Sequence, residues 1–371
     1  MSLLYIVAGI MGLGLLVVVH EAGHLLAARA SGMHVIRFSI GFGPPLIKYQ
    51  SKRSGTHYQI AAVPFLAYVQ IAGMNPFEEI DPDDKTSYAN ASLFARIFAI
   101  LAGPLANYLF ASVLFFICFM VSGVAEPTNK AMVDVLDDGA AKAAKMQSGD
   151  TIVAVGGVKV SDWEAMRQQV VKNPGKPLEF EIARGDERLS LNITPKNDNG
   201  KGLIGVVPST TMVQVSAKKA LVLSLERPYE VVKYSILALG RILTFQEKPD
   251  LKGPVGIVSE TSKAAKAGWM PLVYFLGILS AYLGGFNALP FPALDGGRLA
   301  FLGYEAITRR KPNTRVEFMV HAFGFVMLLT LIAVVTFADT RLLFRESSSA
   351  KTESSAPAPA KPAPAKPKAA P

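Results

Sequence analysis

His20, Glu21 and His24 interrupt an apolar run that begins at Leu3, and they do so in the order His-Glu-Ala-Gly-His. At 3.6 residues per turn the two histidines fall one above the other on a single helix face, where two imidazoles can hold one zinc ion. Glu21 stands about 100° around the helix, beside the ligands and not among them. From there a carboxylate can take a proton from water activated by the metal, which is the division of labour in the H-E-x-x-H pattern. With only 5 histidines in 371 residues, chance is a poor account of this spacing. Ionisable groups inside an apolar span are costly, so they mark function by default.

A catalytic zinc site takes three protein ligands and keeps a fourth position open. The longer three-histidine pattern would need His at position 30, where Ala30 stands, and His34 lies beyond the helix in a glycine-flanked turn. Asp295 is the better candidate. It belongs to Asn287-Ala288-Leu289-Pro290-Phe291-Pro292-Ala293-Leu294-Asp295-Gly296-Gly297-Arg298, between apolar runs and with no rival acid. The prolines and glycines loosen the helix, so that backbone and carboxylate can turn towards a cavity. The bland alternative is an ordinary turn at a helix end.

These residues resemble the site-2 proteases, intramembrane zinc metalloproteases of peptidase family M50, and in particular the bacterial regulator-of-sigma-E type with one PDZ domain. His20 to His24 matches the first motif of that family and Leu294-Asp295-Gly296 the second, with Asn287 to Pro290 as its Asn-x-x-Pro element. Phe38 to Pro44, Gly103-Pro104-Leu105-Ala106-Asn107 and Gly253-Pro254-Val255 are similar to further landmarks, so the resemblance covers most of residues 1 to 340. It implies Zn2+ held by His20, His24 and Asp295, with Glu21 as the catalytic base; Asn287 and Asn107 are read from their positions as candidate substrate-binding residues. It also implies cleavage of transmembrane segments of single-span proteins, such as an anti-sigma factor or a signal-peptide remnant, after a site-1 protease has made a first cut outside.

The elements that must position these residues are membrane spans. Half of the residues are hydrophobic (50%), only 18% are charged and the mean hydropathy is +0.31, too apolar for an ordinary soluble chain of this length. The fold expected is a polytopic α-helical membrane protein with four transmembrane helices, a membrane-associated β-hairpin and an inserted α+β PDZ-like domain. A net charge of +9 does not point to nucleic acid, because the basic residues are not gathered on a nucleic-acid motif. Many flank apolar spans, as topology and an anionic lipid bilayer favour. The one cysteine, Cys118, lies in an apolar span and is read as packing.

In chain order, residues 1–30 form the first span, retained because it lacks the charged start of a signal peptide. Arg29, Arg37, Lys48, Lys52 and Arg53 follow, so this side is cytoplasmic. Residues 31–92 alternate polar and apolar around Ser51-Lys52-Arg53-Ser54-Gly55, a cytoplasmic or re-entrant hairpin whose edge can hold a substrate backbone. His57 there is read as solvent-exposed. Residues 93–124 form the second span, with a kink expected at Pro104. Asn107 on it either faces the metal cavity or bonds a neighbouring helix.

Residues 126–208 read as the PDZ-like domain. Thr151 to Val155 turns at Gly156-Gly157 into a return strand, Ser161-Asp162-Trp163-Glu164 fits a capping box, and Trp163, Met166, Val170 and Val171 mark a buried helix stripe. Ala144 to Asp150 departs from the Gly-Leu-x-x-Gly-Asp wording usual in such domains. Residues 209–268 hold an amphipathic surface helix, 216–245, and a connector. Spans three and four are 271–307 and 316–338, joined by the basic Arg309-Arg310-Lys311, and a disordered Pro/Ala/Lys tail fills 339–371. Four spans put both termini and the inserted domain in the periplasm of a bacterial inner membrane. Two rival readings are a membrane metal transporter or lipid-directed zinc enzyme, and a PDZ scaffold with a vestigial metal site. A transporter needs ligands along a path, whereas here they form one constellation with a base; a vestigial site would have lost Glu21.

Overall fold

The computed structural model describes residues 3–75, 77–128, 130–137, 139–198, 200–246 and 252–354. The first helix, α1 (Leu3–Ala30), carries the H-E-x-x-H pattern in its second half. It stops where Gly32 takes a φ of +76°. There Met33 N–H reaches back to Ala28 O (2.9 Å) and Gly32 N–H to Arg29 O (3.0 Å), which satisfies carbonyls a helix end would leave open.

Strands β1 (Val35–Gln50) and β2 (His57–Ile71) follow as an antiparallel pair. Both bend on themselves. Arg37, Phe38, Ser39 and Ile40 have partners on two sides, at residues 57–60 and at residues 67–70, while Ile47 to Gln50 pair with Ile60 to His57. The turn in β1 falls at Gly41 and Gly43, whose φ values of +95° and +91° only glycine adopts without strain. Residues 67–71 thus form an outer edge of a folded hairpin. His57 is exposed, as expected. Helix α2 (Leu93–Ser122) continues through Pro104. A Cβ on Gly23 of α1 would collide with Ala102 O, so the two helices meet backbone to backbone. Leu25 and Ala28 of α1, Val35 and Phe38 of β1, Ile71 of β2 and Ala99 of α2 form one buried cluster that fixes the hairpin against both helices.

The chain divides into two compact units, one of Met1–Phe116 with Leu221–Pro371, the other Ile117–Ala220. The second unit is α+β. It contains β3 (Val124–Pro127), β4 (Val133–Val135), α3 (Ala140–Ala143), β5 (Thr151–Val155), β6 (Val158–Lys159), α4 (Trp163–Val171), β7 (Leu178–Arg184), β8 (Glu187–Ile193), β9 (Lys196–Asp198), β10 (Lys201–Leu203), β11 (Val206–Pro208) and β12 (Thr210–Val213). Its main sheet has the order β6-β5-β7-β8, with the β5–β6 turn made by Gly156 and Gly157 at positive φ. Met166 and Val170 of α4 are buried against Ile152, Phe180 and Ile182. The cap of α4 differs from the capping box read in the sequence. Asp162 is the N-cap and accepts from Ala165 N (2.9 Å), while Glu164 turns to Arg167 instead of back to the chain.

The first unit resumes with α5 (Ala217–Leu243). It packs on two apolar helices: Tyr108 OH of α2 donates to Leu225 O (2.8 Å), and Arg227 Nη2 donates to Tyr274 OH (2.8 Å). The connector expected up to 268 is itself largely helical, as α6 (Pro254–Ala267). Its Ser259, Thr261 and Ser262 are buried, and Ser262 Oγ donates to Tyr5 O of α1 (3.3 Å). The expected third span of 271–307 is two helices, α7 (Trp269–Asn287) and α8 (Asp295–Thr308). The break is forced because Pro290 and Pro292 donate no N–H and Ala293 sits at φ +74°. Last comes α9 (Thr314–Ser354). It runs past 338, where the sequence predicts the end of order, and Asp339 explains part of this: its Oδ2 accepts from Gly256 N (2.7 Å) in the first turn of α6. The tail from 355 lies outside the described residues. Four helices, α1, α2, α7 and the Thr314–Arg341 part of α9, are long and apolar enough to cross a membrane.

Candidate metal centre

α1 and the start of α8, 275 residues apart in sequence, bring His20, His24 and Asp295 together. Their potential ligand atoms all lie within 4.8 Å of one another. Asp295 Oδ2 is 2.9 Å from His20 Nε2 and 3.3 Å from His24 Nε2, and the two nitrogens are 3.2 Å apart. A tetrahedral zinc with bonds of about 2.0–2.1 Å separates its ligand atoms by about 3.3–3.4 Å. The triangle therefore fits a zinc ion with little adjustment. Both histidines are buried, and the Asp295 side chain is 18% exposed, so one side of the triangle stays open.

The atoms behind the ligands agree with this. His24 Nδ1 donates to Ala99 O (2.8 Å), which leaves Nε2 a free lone pair pointing at the other two groups. The Asn107 carboxamide lies 3.2 Å from His20 Nδ1, and its Oδ1 is buried without a partner. A half-turn of that amide sets Oδ1 on the Nδ1–H of the tautomer whose Nε2 can hold a metal. Gly103 is needed for the same reason of space, since a Cβ there would run into the His24 imidazole.

Glu21 lines a cavity of about 330 Å³ together with His20, His24 and Asp295, and its Oε2 accepts from Val69 N of β2 (2.9 Å). Asn287 lines the same cavity, with its amide nitrogen donating to Leu283 O (2.9 Å) one turn back. Asn107 does not. Asn107 is completely buried, with its side chain at His20 and its backbone carbonyl accepting from Ser280 Oγ of α7 (2.8 Å). The sequence reading misses the Ala99 carbonyl and the Val69 amide. Backbone groups carry no residue signature, although the small residues of Gly103 to Asn107 mark the helix face concerned. A second cavity, of about 950 Å³, shares Tyr68, Val69, Ile71, Met74, Ala293 and Arg298 with the first and extends to Phe318, His321 and Phe325 of α9.

Fold and site together define a multi-pass membrane protein in which an H-E-x-x-H pattern on a span-length helix meets a distant aspartate at the start of a shorter one. The family model of peptidase family M50 matches residues 8–331, and the chain belongs to that family. It is similar over nearly its whole length to the zinc metalloprotease RasP of Geobacillus kaustophilus, at 31% identity covering 91% of this chain and 98% of the relative. A putative zinc metalloprotease of Nostoc is 34% identical, covering 91% and 96%. The regulator of sigma-W protease RasP of Bacillus subtilis is 29% identical, covering 91% and 99%.

Proposed function

We propose that the protein is a zinc-dependent intramembrane endopeptidase that cleaves transmembrane segments of single-span proteins in a bacterial membrane. The observation that carries this reading is the meeting of His20, His24 and Asp295 beside Glu21, with the first two and Glu21 on a helix long and apolar enough to cross a membrane. Such burial makes sense for a scissile bond that is also in the membrane. Zinc, held by those three residues, supplies Lewis-acid polarisation of the carbonyl and a more acidic water. Glu21 would take one proton of the attacking water as the water oxygen adds to the carbonyl carbon. The C–N bond then breaks and Glu21 passes the proton to the amine nitrogen. The second water proton follows, so the products are a carboxylate and an ammonium.

A helix hides its carbonyls in its own hydrogen bonds, so the substrate must unwind near the cut. The outer edge of β2, residues 67–71, offers backbone to an extended strand, and the Asn287 side chain offers a further polar contact. Residues 126–208 are a PDZ-like domain that faces the periplasm, with both termini, and screens out bulky ectodomains. Substrates already cut outside by a site-1 protease, with an anti-sigma factor as the type suggested by the sigma-W relative, are then preferred.

Purified protein in lipid nanodiscs, given zinc and a single-span substrate, should cleave it, and Asp295→Ala should lose both cleavage and zinc. An Asp295→Ala protein that binds zinc and cleaves normally would refute the split site. Orientation is tested by Asn173→Cys and Asn313→Cys, each in a Cys118→Ser background, with an impermeant thiol reagent on spheroplasts; labelling at 313 but not at 173 inverts the topology. Screening predicts that a short stub is cut and a folded ectodomain is not, and that deleting residues 127–208 relaxes the difference.

A further inference from the structure

Arg298 lies one turn from Asp295 on α8, and residues three apart on a helix are neighbours on one face. It lines the cavity of about 330 Å³ that holds His20, Glu21, His24 and Asp295, and also the neighbouring cavities of about 950 Å³ and 210 Å³. The other arginines of this unit's interior have partners: Arg96 forks onto Glu305, Arg227 reaches Glu230 and Tyr274, and Arg29 bonds Ser54 and Thr56. Arg298 makes no hydrogen bond or ion pair among the described residues. The carboxylate of Glu317 is near enough to feel its charge, yet it forms no pair with it, and Glu305 is already taken by Arg96. A guanidinium without a hydrogen-bonded partner, lining the cavity that also holds His20, Glu21, His24 and Asp295, is a ready site for an anion.

We propose that Arg298 binds the negatively charged oxygen that peptide hydrolysis creates, first on the attacked carbonyl and then as the carboxylate of the acyl product. This rests on the peptidase reading above. A permanently acidic substrate side chain is a poorer match, because it would have to be carried into the spanning region and would then face Glu21 and Asp295. Charge that arises during the reaction has no such entry cost. A planar fork of N–H donors also suits two oxygens on one carbon.

The test uses the whole protein in nanodiscs, as wild type, Arg298→Ala and Arg298→Lys, with zinc content and thermal midpoint measured for each. On a single-span substrate, Arg298→Ala should lower kcat about 10²- to 10³-fold with KM nearly unchanged, and Arg298→Lys should recover part of the loss. Independently of activity, the zinc-free wild type should bind a short peptide ending in a carboxylate about tenfold tighter than the same peptide ending in a carboxamide, and Arg298→Ala should erase that preference. Cleavage by Arg298→Ala at the wild-type rate, or a carboxylate preference that the substitution leaves intact, would overturn the proposal. If Arg298→Ala does not fold, Arg298→Gln, which keeps length and polarity, carries the same comparison. A wild type that cleaves nothing counts against the peptidase reading, while the zinc-free binding still decides the role of Arg298.

Discussion

Helix α8 places two carboxylates in largely buried surroundings, and they are handled in opposite ways. Glu305 meets the guanidinium of Arg96 in a two-pronged pair, at 2.6 and 2.9 Å, so each oxygen has an N–H and the charges cancel. Asp295, ten residues earlier, turns one oxygen to two imidazole nitrogens that also face each other at 3.2 Å. With His24 Nδ1 committed to Ala99 O and His20 Nδ1 beside the Asn107 carboxamide, both Nε2 atoms can turn lone pairs inward next to the carboxylate, a set that suits a cation. A completed pair is structural, whereas three metal-ligating groups converging on one point are a place for chemistry.

The largest effects should separate the two. Glu21→Gln should cut the cleavage rate about 10²- to 10⁴-fold while one zinc per chain is kept, since the amide cannot take the proton. His20→Ala or His24→Ala should lose zinc and activity together, read by metal analysis beside a cleavage assay. If Glu21→Gln cleaves at the normal rate, Glu21 is not the base. Glu305→Ala should leave zinc content alone and destabilise the protein by about 3–5 kcal/mol, because Arg96 is stranded, and the Arg96→Met, Glu305→Leu double variant should recover most of it. Thermal midpoints in detergent decide this; loss of zinc from Glu305→Ala would erase the contrast between the sites.

Asn107→Ala should weaken zinc about 10- to 100-fold by competition with a chelator, without the full loss expected of the ligands. Unchanged affinity would mean that His20 needs no support from behind. The smallest effect concerns Asp150, a third buried carboxylate, in the α+β unit. Burial pushes its carboxyl up, but the Arg184 fork and the Gln147 N–H outweigh this and hold it below the usual value. A lowered value means that the added stability is present at neutral pH and is lost as pH falls below about 3.9. Arg184→Ala should raise the pH at which the Ile152 and Ile182 amides lose protection from hydrogen exchange. An unmoved onset would assign the acid sensitivity elsewhere.

The metal pattern is legible in sequence because His20, Glu21 and His24 are set by one helical turn, and Asp295 because prolines and glycines announce a break. Long-range geometry is not legible. Nothing local in Gly253-Pro254-Val255 says that a carboxylate 83 positions after Gly256 will sit over the start of α6, so the segment reads as a connector. The doubling of β1 and β2 is hidden too, since alternation sets the faces of a strand and not which segments lie side by side. Asn107 shows the limit most directly. Its side chain goes to His20 and its backbone carbonyl to Ser280, and neither partner is near it in sequence.

One hydrogen bond joins the outer edge of β2 to the proposed base: Val69 N–H rests on Glu21 Oε2. The carboxylate that must accept a proton is thereby also a partner of the strand that would receive a substrate. Whatever seats itself on that edge and draws on Val69 competes with Glu21 for the same N–H, so that arrival at the edge and release of the carboxylate would be one event.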